Sequence, residues 1–273
     1  MQFSFYPLRL EFKARESIHF PHGKAANILR GAMGTVLSDE IFAPVANQGP
    51  SGFANQPRPY VFRVRHLDGQ TIQPGEQFHV GLNVFSKDAV LPIQIKDAFE
   101  TIATEGFGPN RGKAELQNKT GISQPIAIDL TPGPMPTQKI QIEFLTPTEL
   151  KHENEIAQSP DFPILFARIR DRISTLRALY AEGPLEIDFR AIGERAAAIR
   201  LTRFEGRTVD TQRRSTRTGQ THSIGGFTGT AEYEGDLAEF LPWLEAARST
   251  GVGRQCSWGK GEIAVTASRH QSG

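Results

Sequence analysis

The chain has 273 residues, 38% of them hydrophobic and 22% charged, with 26 glycines, 18 prolines and a formal net charge of +1. It is long enough for one large or two ordinary domains, with a core that needs no staples. An ordinary hydrophobic share argues against wholesale disorder, no apolar run approaches the roughly 20 residues of a membrane span, and MQFSFYPLRLEFKARES lacks a signal peptide's apolar stretch. A soluble, cytoplasmic protein with no membrane partner is expected.

Residues 2–13 alternate as a strand, with Phe3, Phe5, Leu8, Leu10 and Phe12 amid polar neighbours and an irregularity at Pro7. Helical spacing of Ile28, Leu29, Met33, Val36 and Leu37 predicts a helix from about Lys24 to Leu37. Residues 43–59 are loop-like. Strands are expected at 60–66 and 76–86, a helix at 88–104, and short strands at 112–118 and 124–130. TPGPMPT (131–137) reads as a linker, since its three prolines and glycine fit neither a helix nor a central strand. Beyond it the spacing predicts a strand at 138–145 and a helix at 162–181. Strands near 185–191, 195–205 and 227–234 follow, then a helix at 236–248 capped by Asp236 and a last strand at 261–267. This β-α-β-β-α-β rhythm, met twice, predicts an α+β fold of two tandem ferredoxin-like domains, residues 1–130 and 138–273. The halves repeat in architecture and not in sequence.

Two features point to chemistry. Seven arginines between Arg195 and Arg217 face only Glu205 and Asp210, which fits either a phosphate-binding face or a charged, solvated edge strand. Near the C-terminus, GVGRQCSWGKG (251–261) holds four glycines in eleven residues, with Arg254 and Lys260 among them. Gly251, Gly253, Gly259 and Gly261 can expose backbone amides to phosphate oxygens, or can simply form a permissive turn. The spacing is neither a Walker A loop nor a dinucleotide fingerprint. Cys256 is the single cysteine, so an internal disulfide framework and a cysteine-built zinc cluster are excluded. Gly-x-Ser-x-Gly, His-Glu-x-x-His and carboxylate pairs at glycosidase-like or two-metal spacing are absent.

GGFTG (225–229), YEGDLAEFLPWL (233–244) and GVGRQCSWGKG together resemble the C-terminal signature of the RAMP-superfamily CRISPR-associated endoribonucleases that process precursor CRISPR RNA. HGKAANILRGAMG (22–34) is similar to that family's first-helix motif, and SGFANQPRPYVFR (51–63) to its following loop and strand. EGFGPNRGKAEL (105–116) and EFLTPTEL (143–150) are similar to its mid-chain segments. The resemblance runs over most of the chain. Where many relatives carry a cysteine-rich stretch, residues 38–50 are short and free of cysteine, so no zinc is expected.

The resemblance implies metal-independent cleavage of CRISPR repeat RNA, with no cofactor, by attack of the ribose 2′-hydroxyl on the adjacent phosphate. Such chemistry needs a general acid or base and a cation near the nonbridging oxygens, and histidine titrates in the right range. Relatives place a histidine in or just before the first helix, which selects His22, then His19, with Lys24 as the cation beside a helix N-terminus. Arg213, Arg214, Arg217 and His222, preceding GGFTG, are expected to contact RNA with Arg254, Lys260 and the four loop glycines. Trp258 either stacks on an unpaired base or plugs the core between the halves. Tyr6 is expected to pack. The same features also suit a non-catalytic RAMP subunit gripping guide RNA among other effector subunits, and, on the basic run alone, a protein binding another anion.

Overall fold

The computed structural model describes residues 1–38, 41, 57–118, 121–153, 155–209 and 225–267, together with the backbone of 212–214 and 221–223. The first half contains β1 (Gln2–Ala14), β2 (Ile18–His19), α1 (Ala25–Val36), β3 (Tyr60–Phe62), β4 (Thr71–Ile72), β5 (Gln77–Val84), α2 (Val90–Glu105), β6 (Ala114–Leu116) and β7 (Ile126–Asp129). Its main sheet runs β3-β5-β1-β6 with antiparallel pairing, and β7 joins the start of β1. The second half contains β8 (Lys139–Thr148), β9 (Lys151–His152), β10 (Glu155–Ile156), α3 (Phe162–Tyr180), α4 (Phe189–Ala196), β11 (Arg200–Val209), β12 (Gln212–Arg214), β13 (Thr221–Ser223), β14 (Gly226–Glu234), α5 (Leu241–Thr250) and β15 (Ile263–Ala267). Its antiparallel sheet runs β11-β14-β8-β15. Each sheet is therefore traced in the same way, with the first strand between the third and the last, in an α+β fold.

The joint between the halves is written into β1. Its alternation changes phase where Phe5 and Tyr6 are both buried. Phe3 and Phe5, with Val61 and Phe85, pack into the second half's core, whereas Tyr6, Leu8, Leu10 and Phe12 fill the first half's core under α1 and α2. A one-residue change of phase moves side chains to the other face of a sheet, so one strand serves two cores.

The C-terminal end of α5 locks this joint. Its last carbonyls, on Arg248, Ser249 and Thr250, accept from Arg63 Nη2 (2.7 Å), Asn83 Nδ2 (3.0 Å) and Arg172 Nε (2.7 Å). Two of these donors come from the first half. They satisfy carbonyls the helix cannot pair itself, and the two guanidiniums suit the negative end of its dipole. Burial lowers the Arg63 pKa, with Glu262 acting the other way. Tyr180 of α3 adds a tie by donating to the Pro57 carbonyl (2.9 Å), and burial pushes its phenol up to about 12.

Two expectations need correction. Residues 185–191 do not form a strand: the alternation of Leu185, Ile187 and Phe189 imitates one, but Asp188 accepts from the amides of Arg190 and Ala191 and starts α4. Asp236 does not cap the last helix either. A turn through Leu237–Phe240 intervenes, Phe240 is the N-cap, and Pro242 sits in the first turn, where its missing N–H does no harm.

Candidate nucleic-acid interface

The glycine-rich loop lies between the halves, touching α1 and β3. Gly259 takes the left-handed conformation, and a Cβ there would come within 2.5 Å of Ala26 Cβ on α1. One helical turn further along, the Arg30 guanidinium lies 5.0 Å from the centre of the Trp258 ring, so one face of the half-buried indole is covered by this cation. His22 precedes Ala26 by one turn's spacing, so the sequence candidate and the loop belong to the same end of α1.

The loop is held from beneath by Glu149, which sequence reasoning missed. This buried carboxylate, just beyond β8, accepts from Arg254 Nη1 (2.6 Å) and from the buried Lys260 ammonium (3.4 Å). Lys260 also donates to the Gly225 carbonyl (2.5 Å) and the Gln255 side chain (3.1 Å). Burial lowers the Lys260 pKa, and Glu149 opposes that shift. Gly253 lets the chain pass over the Glu149 backbone, where a Cβ would meet the carbonyl oxygen at 2.3 Å. The only signal in the sequence was a lone acid between two strands' worth of apolar residues, with its basic partners more than a hundred positions away.

These contacts correct the expectation for the loop. Lys260 is enclosed by three acceptors and does not face solvent. The amides of Gly251, Val252, Arg254, Trp258, Gly259 and Gly261 donate to protein carbonyls, so they are not presented to a phosphate. The amides of Gly251, Gly259 and Gly261 are thus spent within the protein, and Arg254, about half exposed, is the loop's outward cation.

His22 is exposed, with its ring against Gly69. His19, also exposed, pairs its Nδ1 with the Thr71 hydroxyl at 2.9 Å. Lys24 is half-buried and is the N-cap residue of α1. The helix's positive end already has an anion: Asp68 Oδ1 accepts from the Ala25 amide at 2.9 Å. Burial raises the Asp68 pKa, while the Ala25 amide and nearby His22 lower it. The N-terminus of α1 is therefore already capped by a carboxylate, with His22 and Lys24 beside it. Tyr6 is buried in the first core, as packing requires.

The arginine run divides in two. Arg195 pairs with Glu239, Arg200 with Glu234, and Arg203 with Glu205 and Glu232, all on the surface beside the edge strand β11. That part matches the solvated-edge reading, and such exposed pairs add little stability. Arg213 and Arg214 lie on β12, opposite His222 and Thr221 of β13, in a hairpin continuing from the ends of β11 and β14. Arg217 and the stretch 42–50 lie outside the described residues. Topology thus gathers the β12–β13 hairpin, the glycine loop and the β9–β10 hairpin at one end of the second sheet, where β8 and β11 finish and β14 begins. No described helix is long and apolar enough to cross a membrane.

Comparison with known proteins follows the same division of the chain. Residues 142–263 match the family described as CRISPR-associated endoribonuclease Cas6, and residues 39–128 match a family described as an N-terminal domain. Among solved structures, a Cas6 product complex is similar at a TM-score of 0.60 and 16% identity, over 97% of this chain and 99% of that one. Thermus thermophilus Cas6 is similar at a TM-score of 0.55 and 15% identity, over 97% of this chain and 99% of that one. A partial Cas6-RT-Cas1–Cas2 complex is similar at a TM-score of 0.58 and 13% identity, over 100% of this chain and 47% of that one. No curated protein matches the sequence.

Proposed function

We propose that this chain, whose residues 142–263 match the CRISPR-associated endoribonuclease family Cas6, is a member of that family that binds CRISPR repeat RNA and cuts it within precursor crRNA to release guides. Its two halves are read as ferredoxin-like domains, 1–130 and 138–273, meeting at the glycine loop. What supports this reading is the gathering, inside the matched segment, of Arg254, the Arg213–Arg214 strand and the loop at one sheet end, together with the loop's contact with α1, which His22 precedes. In the proposed reaction the ribose 2′-hydroxyl attacks the adjacent phosphorus, its proton leaves to a base, and the 5′-oxygen departs as a hydroxyl with a proton from an acid. The products are a 2′,3′-cyclic phosphate and a 5′-hydroxyl, and no metal takes part. His22 is assigned the proton transfer, His19 stands next, and Lys24 neutralises the nonbridging oxygens. Arg213, Arg214, Arg217 and His222 are assigned to RNA contact with Arg254. Lys260 and the glycines act by shaping the loop. Other CRISPR subunits are proposed partners, as the similar fold within a Cas6-RT-Cas1–Cas2 complex suggests.

The test separates cutting from gripping. Replacing His22 with Ala should slow single-turnover cleavage at least about 100-fold, the lower bound for a general acid or base, and leave repeat-RNA affinity within a few-fold. Full activity in His22→Ala and His19→Ala alike contradicts the assignment.

A further inference from the structure

We propose that Asp68 is the positioning residue for His22, fixing the imidazole at the start of α1; its bearing on cleavage rests on the role assigned to His22 above. His22 lies in a four-residue turn that leads straight into α1 and is closed by the Lys24 amide donating to the Pro21 carbonyl (3.0 Å). The helix begins without a cap of its own. Its N-cap residue is Lys24, whose side chain cannot accept a hydrogen bond, so the first amides need an acceptor from elsewhere. Asp68 supplies one from 43 positions along the chain, through Oδ1 to the Ala25 amide at 2.9 Å.

The segment that carries Asp68 holds the residues before His22 as well. The Gly69 amide donates to the Phe20 carbonyl and the Phe20 amide to the Gln70 carbonyl, both at 2.9 Å. Beyond them β2 pairs with β4, Ile18 opposite Ile72 and His19 opposite Thr71. The His22 ring rests on the same segment: a Cβ on Gly69 would stand 3.5 Å from its Nδ1. His22 is thus gripped on both sides, at Phe20 and at Ala25, by residues 68–70. Those residues are anchored in turn. The short helical turn Arg65–Leu67 before them buries Leu67 in the first half's core, and the Asp68 amide donates to the Arg65 carbonyl (3.1 Å).

Asp68 is the link that a substitution can cut. Phe20 is held by backbone groups, which a side-chain change leaves in place, whereas the tie to Ala25 runs through a carboxylate. Burial disfavours the charge of that carboxylate, and the Ala25 amide, His22, the Lys24 amide and Arg65 each oppose the shift. Asp68 therefore faces the helix start and His22 together. Without the tie the helix start frays and the turn holding His22 gains freedom. Misplacing a reacting group by about 1 Å can cost about 100-fold in rate. Asparagine keeps the acceptor oxygen and caps helices about as well as aspartate, so it separates the hydrogen bond from the charge.

The experiment compares Asp68→Ala and Asp68→Asn with wild type in three measurements on the full chain. These are single-turnover cleavage of repeat RNA, repeat-RNA affinity, and the NOE between the His22 side chain and the Gly69 α-protons in the free protein. Asp68→Ala should cut about 10- to 100-fold more slowly, bind repeat RNA within a few-fold of wild type, and lose the NOE. Asp68→Asn should restore both the rate and the NOE. Asp188→Ala, which uncaps α4 in the other half, is the stability control: like Asp68→Ala it should lower the melting temperature by about 2 °C, yet cut at the wild-type rate. A wild-type rate or an unchanged NOE in Asp68→Ala, an equal loss of rate in Asp188→Ala, or Asp68→Asn as slow as Asp68→Ala would overturn the proposal. The NOE needs no RNA, so the two readings fail separately. If His22→Ala cuts at the wild-type rate, the role assigned to His22 falls, and an NOE lost in Asp68→Ala but kept in Asp68→Asn still shows Asp68 placing the ring. If His22→Ala is slow and Asp68→Ala is not, the positioning role alone falls.

Discussion

Replacing Glu149 with Gln removes one negative charge from beneath the glycine loop and leaves the buried Lys260 ammonium with neutral acceptors only, the Gly225 carbonyl and the Gln255 side chain. Breaking a buried pair on one side costs about 3–5 kcal/mol. Two retained hydrogen bonds and a glutamine that still accepts bring the expected loss to the low end, about 3 kcal/mol. At an unfolding entropy of about 2.1 cal/mol/K per residue, a chain of 273 residues loses about 5 °C in melting temperature for that destabilisation. Differential scanning calorimetry gives the shift directly. Arg254→Ala is the control: it breaks the other arm of the same clamp, but its guanidinium is half exposed and the loss should stay near 1 kcal/mol. The double variant Glu149→Gln, Lys260→Met should recover much of the loss, since a neutralised pair leaves no buried charge uncompensated. A melting temperature for Glu149→Gln within about 1 °C of wild type would refute the claim that this carboxylate holds the loop.

Three further outcomes follow from the same geometry. Gly259→Ala adds a Cβ that would come within 2.5 Å of Ala26 and requires an unfavourable positive φ; it should destabilise by about 1–3 kcal/mol, and Ala26→Gly in the same chain should return the steric part but not the backbone part in a double-mutant cycle. Lys260 has a folded-state pKa below its unfolded value of 10.5, so in the window between the two the unfolded chain binds more protons and this group's contribution to stability rises with pH; the difference in melting temperature between wild type and Lys260→Met should grow in favour of wild type across that alkaline window, and a constant difference contradicts the burial argument. Arg213→Ala combined with Arg214→Ala should weaken repeat-RNA binding and reduce the slope of log affinity against log salt by about one for each phosphate that is no longer neutralised; an unchanged slope places the RNA face elsewhere.

Local pattern carried most of the fold. The alternation of β1 and the apolar spacing of α1 and α3 rest on neighbours within a few residues, and these elements stand where the spacing puts them. Where two local signals competed, periodicity misled: Leu185, Ile187 and Phe189 alternate, but the capping side chain of Asp188 prevailed. The site was legible as a set of segments and not as contacts. The glycine loop, the first-helix motif and the arginine strand were visible as composition, whereas the partner of each key group is distant in sequence. Glu149 meets Arg254 and Lys260 across more than a hundred residues, and Asp68 caps a helix 43 positions before it. For the same reason Lys260 looked like an exposed cation: its burial depends on β8, and nothing adjacent to it announces a carboxylate.

The central claim is that this protein cuts repeat RNA itself. Incubating the wild-type chain with end-labelled cognate repeat RNA in EDTA, with enzyme in excess, tests it in one gel. The expected result is a single cut, with a 5′-hydroxyl on one fragment and a 2′,3′-cyclic phosphate on the other, at a rate that EDTA leaves unchanged. Tight binding of intact RNA with no cut would contradict the account and leave a guide-gripping subunit in its place.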